Sequence, residues 1–387
     1  MPNEKRAGPG ANAKTASRSQ AVPQLFERNC SVGRTISIMS DAWSFLVIRE
    51  AFFGAQRFEQ FRTALGLPRG TLAERLKRLT VRGIFRQVHY SANSSRAEYH
   101  LTRCGMELYP SFVALIRFGD RWLSGPEGPP LRLIHATCGA ECEPYVACSH
   151  CLGEVKANRV RYRDGPGAGR TPVEPAKRAR RTAESASFSR GRPSSVSRSL
   201  EIIGDRWSFL ILREAFFVVR RFDQMQTELR IAPNILTERL GRLVTRGVFA
   251  RVKYQDLPDR YEYRLTEMGK DLYGAFITMG AWGDRWLSAG DPPLVLTHLD
   301  CGHDFSAVVV CDKCRKPIEA PDMRYRLNYD PAQYGAPLAG DRTVDILVSG
   351  EDAPAPDAPG QDRAQEDVAK PGKRAAPRRR RPATVTS

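Results

Sequence analysis

A shift of 164 residues lays this chain upon itself. DAWSFLVIREAFF from Asp41 falls on DRWSFLILREAFF from Asp205, ERLKRLTVRGIF from Glu74 on ERLGRLVTRGVF from Glu238, and AEYHLTRCG on YEYRLTEMG. GDRWLS recurs at Gly119 and Gly283, and after a one-residue deletion Cys138, Cys148 and Cys151 fall on Cys301, Cys311 and Cys314. Self-similarity of this kind limits the fold to two copies of one unit in tandem. The 387 residues are long enough for both copies and for flanking segments.

Within the first copy, Trp43 to Phe53 is apolar on nearly every side, which predicts a central buried helix. Phe58 to Leu65 is a short amphipathic helix, and the turn Leu67-Pro68-Arg69-Gly70 leads into the next. There Leu72, Leu76 and Leu79 recur at i, i+4 and i+7 and face inward, with Arg75, Lys77, Arg78 and Arg82 outside and Gly83 ending the helix. Two β-prone runs, Ile84 to Tyr90 and Ala97 to Leu101, flank the polar tip SANSSR and read as a hairpin. A buried helix, a turn into an outward-basic helix and a hairpin together make a winged helix-turn-helix. The expected fold class is mainly α with β-hairpin wings: two winged helix-turn-helix domains in tandem, each followed by a small zinc-ribbon-like module.

The order W-x2-L, then RF, then LxxRLxxLxxxG, then EYxLTxxG, then a long helix ending in tryptophan, resembles the HxlR-type winged-helix regulators of prokaryotes. It covers about residues 26 to 124 and again 190 to 288. The resemblance implies a dimeric transcription factor. It also implies a thiol sensor at Cys30 near the start of the first helix, a role confined to the first copy because Ser194 stands at the equivalent place.

Double-stranded DNA is the expected partner. A helix in the major groove reads bases from its N-terminal residues and grips phosphate along its exposed face. In the first copy the expected contacts are Arg69, Thr71, Arg75 and Arg78; in the second they are Pro233, Asn234, Ile235, Arg239 and Arg242. Arg57 and Arg221 precede the third helix and suit phosphate, as do the wing residues His89, Arg96, Lys253 and Arg260. The basic positions shared by both copies read as positioning contacts, and the differing helix starts as different base preferences.

The long helix carries one apolar stripe, Leu108, Phe112, Leu115, Ile116, Gly119, Trp122 and Leu123, repeated from Leu272 to Leu287. It extends beyond what a small three-helix core needs. Pairing follows, either as an intramolecular pseudo-dimer of the two copies or as a homodimer of chains.

Nine cysteines in a chain expected to be cytoplasmic point to metal or redox use. The first module reads His135-x2-Cys138-x3-Cys142-x5-Cys148-x2-Cys151, and the second His298-x2-Cys301-x-His303-x7-Cys311-x2-Cys314. Zinc takes four N/S ligands, and a pair spaced i, i+3 supplies two from one knuckle. Each module is expected to close its own site, giving about two zinc ions per chain. The ligands would be His135, Cys138, Cys148 and Cys151 in the first and His298, Cys301, Cys311 and Cys314 in the second. Cys142 and His303 compete for a fourth place, and a metal-free thiol cluster is the alternative.

The net charge is +17, concentrated in two Arg-rich segments, about 156 to 198 and 370 to 387, while 199 to 340 is neutral. Such segments hold phosphate without reading sequence. The expected organisation is a tail (1–24), winged helix one (25–125), module one (129–164), a flexible basic linker (165–189), winged helix two (190–290), module two (292–328) and a second tail (329–387). No run of eighteen uncharged apolar residues is present, so no membrane span is expected. An enzyme is not expected either: GPGAG at Gly165 lies in an Arg/Pro segment and not between strand and helix. The alternatives are a nonspecific nucleic-acid-binding or scaffold protein, or a thiol-responsive regulator acting through Cys30 or the cysteine modules.

Overall fold

The computed structural model describes residues 25–39, 41–89, 96–173, 192–330 and 333. Strand β1 (Leu25–Arg28) precedes the first winged helix, which comprises α1 (Ser31–Met39), α2 (Ala42–Phe52), α3 (Phe58–Leu65) and α4 (Arg69–Val81), the wing β2 (Phe85–His89) and β3 (Ala97–Leu101), α5 (Arg103–Met106) and the long α6 (Tyr109–Leu123). Five strands follow: β4 (Leu131–His135), β5 (Ala140–Cys142), β6 (Tyr145–Cys148), β7 (Val160–Asp164) and β8 (Arg170–Val173). The second copy repeats the helices as α7 (Ser195–Ile203), α8 (Arg206–Phe216), α9 (Phe222–Leu229) and α10 (Pro233–Thr245), the wing as β9 (Phe249–Asp256) and β10 (Asp259–Leu265), then α11 (Glu267–Asp271) and α12 (Tyr273–Leu287). Its module holds β11 (Leu294–His298), β12 (Asp304–Phe305), β13 (Ala307–Val310) and β14 (Met323–Leu327). Among the described residues no helix is long and apolar enough to cross a membrane.

Local chemistry sets the boundaries. Asp41 caps α2 by accepting from the Ser44 amide at 3.1 Å, and Asp205 caps α8 in the same way. Gly83 and Gly247 end α4 and α10 at φ of 72° and 77°, where a side chain would be strained. Inside, α2 is buried along almost its whole length, and Leu72, Leu76 and Leu79 of α4 close the core beneath it.

The long helices pack across the repeat. α6 lies against α7, α12 against α1, and α6 against α12. Both GDRWLS glycines belong to this contact: a Cβ on Gly119 would sit 2.3 Å from the Ser195 carbonyl oxygen, and one on Gly283 2.6 Å from that of Ser31. Only glycine permits such an approach. The polar links are reciprocal: Ser199 donates to the Leu115 carbonyl and Thr35 to that of Met279, both at 2.9 Å. Trp122 donates to Asp271 at 2.7 Å, and Trp286 to Glu107 at 2.9 Å. Phe45 and its counterpart Phe209 stack at 6.0 Å between the copies.

The modules depart from the expected organisation. They do not close separately at 129–164 and 292–328, because β7 of the first pairs with β11 of the second, β14 of the second with β4 of the first, and β6 with β13. Both modules have one pattern, so a strand finds the same edge on either, and exchange joins them into one body. Part of the expected flexible linker is also ordered: β8 pairs antiparallel with β1. The first expected tail, nearly all of the second, the wing tip from residue 90 to 95 and the linker beyond residue 173 lie outside the described residues.

Candidate nucleic-acid interface and metal centres

On α4 the inward leucines leave Arg69, Gly70, Ala73, Glu74 and Lys77 exposed. The same face of α10 carries Pro233, Asn234, Thr237, Glu238 and Gly241. Nothing lies within 4 Å of a Cβ built on Gly70 or Gly241, as befits faces open to a partner. Arg69 stands at the start of this face, 77% exposed along its side chain, with Glu59 at 3.1 Å and the Phe58 ring beneath. Thr71 and Ile235 are half-buried at its margin. Lys77 is a functional candidate absent from the expected contacts. Its signal was its place in the i, i+3, i+4 pattern opposite the leucines.

The arginines shared by both copies behave differently from expectation. Arg75 turns inward, 11% exposed, with its Nε 2.9 Å from Asp41, and Arg78 reaches the same carboxylate at 3.0 Å and Ser44 at 2.7 Å. Arg239 likewise meets Asp205 at 3.1 Å, and Arg242 donates to the Glu201 carbonyl. The N-cap aspartates that start α2 and α8 thus also anchor the helices expected to read DNA, and attraction to a half-buried carboxylate draws the guanidiniums of Arg75, Arg78 and Arg239 off the outer face. We expect Arg75→Ala to lower unfolding stability by about 2 kcal/mol, since Asp41 keeps its bonds to Arg78 and Ser44. Urea denaturation checks this, and unchanged stability with weakened DNA binding would place the guanidinium at the DNA.

The remaining basic positions frame these faces. Arg57 pairs with Glu98 on β3 at 3.2 Å, and Arg221 lies over the Tyr254 ring of the other wing. His89, Arg96 and Arg260 are exposed wing residues. Lys253 is held between Asp256 and Asp259 at 3.0 and 2.8 Å, so its charge is met within its own wing.

The eight knuckle residues lie in two groups of four, and each group draws on both modules: His135 and Cys138 with Cys311 and Cys314, and Cys148 and Cys151 with His298 and Cys301. This corrects the expectation that each module closes its own site. In the first group the His135 Nδ1 is 3.5 Å from Cys138 Sγ and 3.2 Å from Cys314 Sγ, with Cys138 and Cys311 sulfurs 3.9 Å apart. In the second, His298 Nδ1 is 3.5 Å from Cys301 and 3.3 Å from Cys151, with Cys148 and Cys301 at 3.9 Å. Tetrahedral zinc, at about 2.3 Å to sulfur and about 2.0 Å to nitrogen, sets edges of roughly 3.5 to 3.8 Å. The separations in both groups, 3.2 to 3.9 Å, lie around those edges.

Each histidine aims its Nδ1 into its cluster. The His135 Nε2 is buried and has no hydrogen-bond partner among the described residues, while Asp300 lies 3.3 Å from the His298 Nε2, outside hydrogen-bonding alignment. The backbone N–H of Gly153 chiefly holds the Cys151 thiol below its usual range. Cys142 sits beside Cys311 and Asp312, and His303 beside Cys301 and the stacked ring of His150, so both competitors flank the four-residue groups. Cys30 is buried, at 6% exposure, at the start of α1.

The HxlR-like helix-turn-helix pattern matches the chain twice, at residues 38–127 and 202–291. An uncharacterized HTH-type transcriptional regulator of Mycobacterium tuberculosis is 44% identical over 137 residues, which is 35% of this chain and 87% of the relative. One of the same description from Synechocystis is 36% identical over 101 residues, covering 26% of this chain and 75% of that one. The uncharacterized HTH-type transcriptional regulator YtcD of Bacillus subtilis is 36% identical over 93 residues, covering 23% and 71% respectively.

Proposed function

The chain belongs to the HxlR-like helix-turn-helix family, and we propose that it is a sequence-specific DNA-binding transcriptional regulator whose two unlike recognition helices read the two halves of one operator. The observation that carries this reading is the difference between the outer faces of α4 and α10: Arg69, Gly70, Ala73 and Lys77 stand where Pro233, Asn234, Thr237 and Gly241 stand in the other copy. Two helices with different side chains at the base edges ask for different bases.

In this reading Arg69, Thr71 and Lys77 of the first copy and Asn234 and Thr237 of the second face the grooves. Arg57, Arg221, Arg96 and Arg260 meet phosphate, and Arg75, Arg78, Arg239 and Arg242 hold the helices at their angle. The copies act as an intramolecular pair, supported by the reciprocal packing of α6 on α7 and α12 on α1. Two zinc ions per chain, one in each composite cluster, serve a structural role: four protein ligands complete the tetrahedron and leave no position for substrate.

Footprinting at physiological salt, with binding sites mapped across a genome, tests the regulator. We expect a defined protected site occupied by one chain. Uniform protection of any duplex would instead mark a coating protein acting through its basic segments.

A further inference from the structure

The repeat carries the same aromatic recess twice, filled in one copy and open in the other. In the first copy Phe52, Phe53, Tyr109 and Phe112 enclose a remnant of about 20 Å³. In the second, the aligned Phe216, Phe217, Tyr273 and Phe276 line a cavity of about 480 Å³.

The difference has named causes. Ile116 of α6 projects into the first recess, whereas its counterpart on α12 is Gly280. Met323 and Leu133 also line the first recess and help to fill it. Arg192, buried against the carboxylate of Glu50, packs near Tyr325 of the first recess. Its counterpart Arg28 points outward instead, 3.5 Å from Glu228 and over the ring of Phe217. A Cβ on Gly280 would meet only the Val32 methyl at 3.5 Å, an ordinary contact, so neither backbone nor packing demands glycine there. A packed helix gains from a larger residue at such a place. The open volume is a feature of the second copy alone.

We infer that this cavity is a binding site for a neutral, predominantly aromatic small molecule carrying one or two hydroxyl or carbonyl groups. Its volume falls within the range of ligand pockets. The aromatic walls, joined by Phe305 of the module, offer stacking and edge contacts. Two of the charged groups in the wall are paired within the protein, Arg213 with Glu214 at 2.9 and 2.6 Å and Asp304 with Arg163, while among the described residues Asp284 accepts only from the Ser31 hydroxyl at 2.5 Å. An anionic ligand would therefore add a surplus negative charge beside Asp284, at a cost that a neutral one avoids. Ser149 and Ser306 supply hydroxyls at the wall for a ligand oxygen. Burial pushes the Asp284 carboxyl up to about 6, in keeping with an enclosure that disfavours further anions.

The occupant would touch both copies, because Cys30, Ser31 and Val32 at the start of α1 form one wall and α8 and α12 the other. It would wedge into the contact that sets one winged helix against its twin. The inference does not depend on how the helices read DNA.

Titration of the full chain with N-phenyl-1-naphthylamine, a neutral two-ring fluorophore that brightens in apolar surroundings, tests it. We expect one site per chain, displaced by 2-naphthol and at least tenfold less well by 2-naphthoate. Gly280→Ile, which installs the side chain of the first copy, should weaken the probe at least tenfold while circular dichroism stays unchanged. Ala281→Leu, at another lining position on α12, should also weaken it, and provides a second route should the first variant fold poorly. No uptake by the unmodified chain, uptake insensitive to both substitutions, or stronger displacement by the carboxylate would each overturn the assignment.

Discussion

A chain carrying Cys138→Ser together with Cys311→Ser should retain one of its two zinc ions, whereas Cys138→Ser together with Cys148→Ser should retain neither. The first pair removes two ligands from one cluster, since Cys138 and Cys311 face each other at 3.9 Å across the module boundary. The second pair, though only ten residues apart in sequence, damages both clusters. Were each module to close its own site, the two outcomes would be reversed, so metal content measured after purification without chelator decides between the arrangements. Stability should follow the metal. Structural zinc in small domains contributes about 10 to 16 kcal/mol of apparent binding free energy at neutral pH. Bound there, zinc would tie the end of β4 to the Cys311-Cys314 knuckle after β13, and the end of β6 to that of β11, so loss of both ions should free the modules from each other before the winged helices melt. No zinc in the unmodified chain would end the proposal of structural metal while leaving the DNA-reading faces untouched.

Much of the winged helix was legible because it rests on local rules. Phe58 to Leu65 and the leucine spacing of α4 fixed two helices by period alone, and Gly83 marked a boundary that only a left-handed residue permits. The metal-ligand residue types were visible too, because Cys-x2-Cys and His-x2-Cys are short-range knuckles. Which knuckle meets which was not. In a duplicated chain every knuckle has two chemically equal partners, and the choice depends on strand exchange between modules, which leaves no trace in local spacing. The inward turn of Arg75 was hidden for a similar reason. Helical periodicity places it at the edge of the outer face, and the carboxylate that claims it, Asp41, lies more than thirty residues away. The cavity beside Gly280 needed both kinds of information: alignment of the copies shows isoleucine against glycine, but only the packing shows that the missing side chain leaves a room and not a closer helix contact.

Giving α4 the outer face of α10, through Arg69→Pro, Gly70→Asn, Thr71→Ile, Ala73→Thr and Lys77→Gly, should convert an asymmetric selected site into a palindromic one. Two-fold symmetry in a DNA site mirrors two-fold symmetry in the protein, and here the packing is already reciprocal while the reading faces are not. The substitutions respect the local fold: Pro68 is extended at ψ 141°, as a residue before proline should be, and proline already opens α10. Each good base contact contributes about 1 to 3 kcal/mol of discrimination, or roughly five- to 150-fold in affinity. The altered half-site should therefore lose its old bases by at least that factor while the other half keeps its own. Arg75 and Asp41 are left in place, so the helix stays seated and a change in preference cannot be ascribed to its coming loose. In vitro selection with the unmodified and altered chains gives the answer. A palindromic motif from the unmodified chain, or an unchanged motif from the altered one, would mean that the exposed faces of α4 and α10 do not choose the bases, and that readout comes from the wings or from pairing between chains.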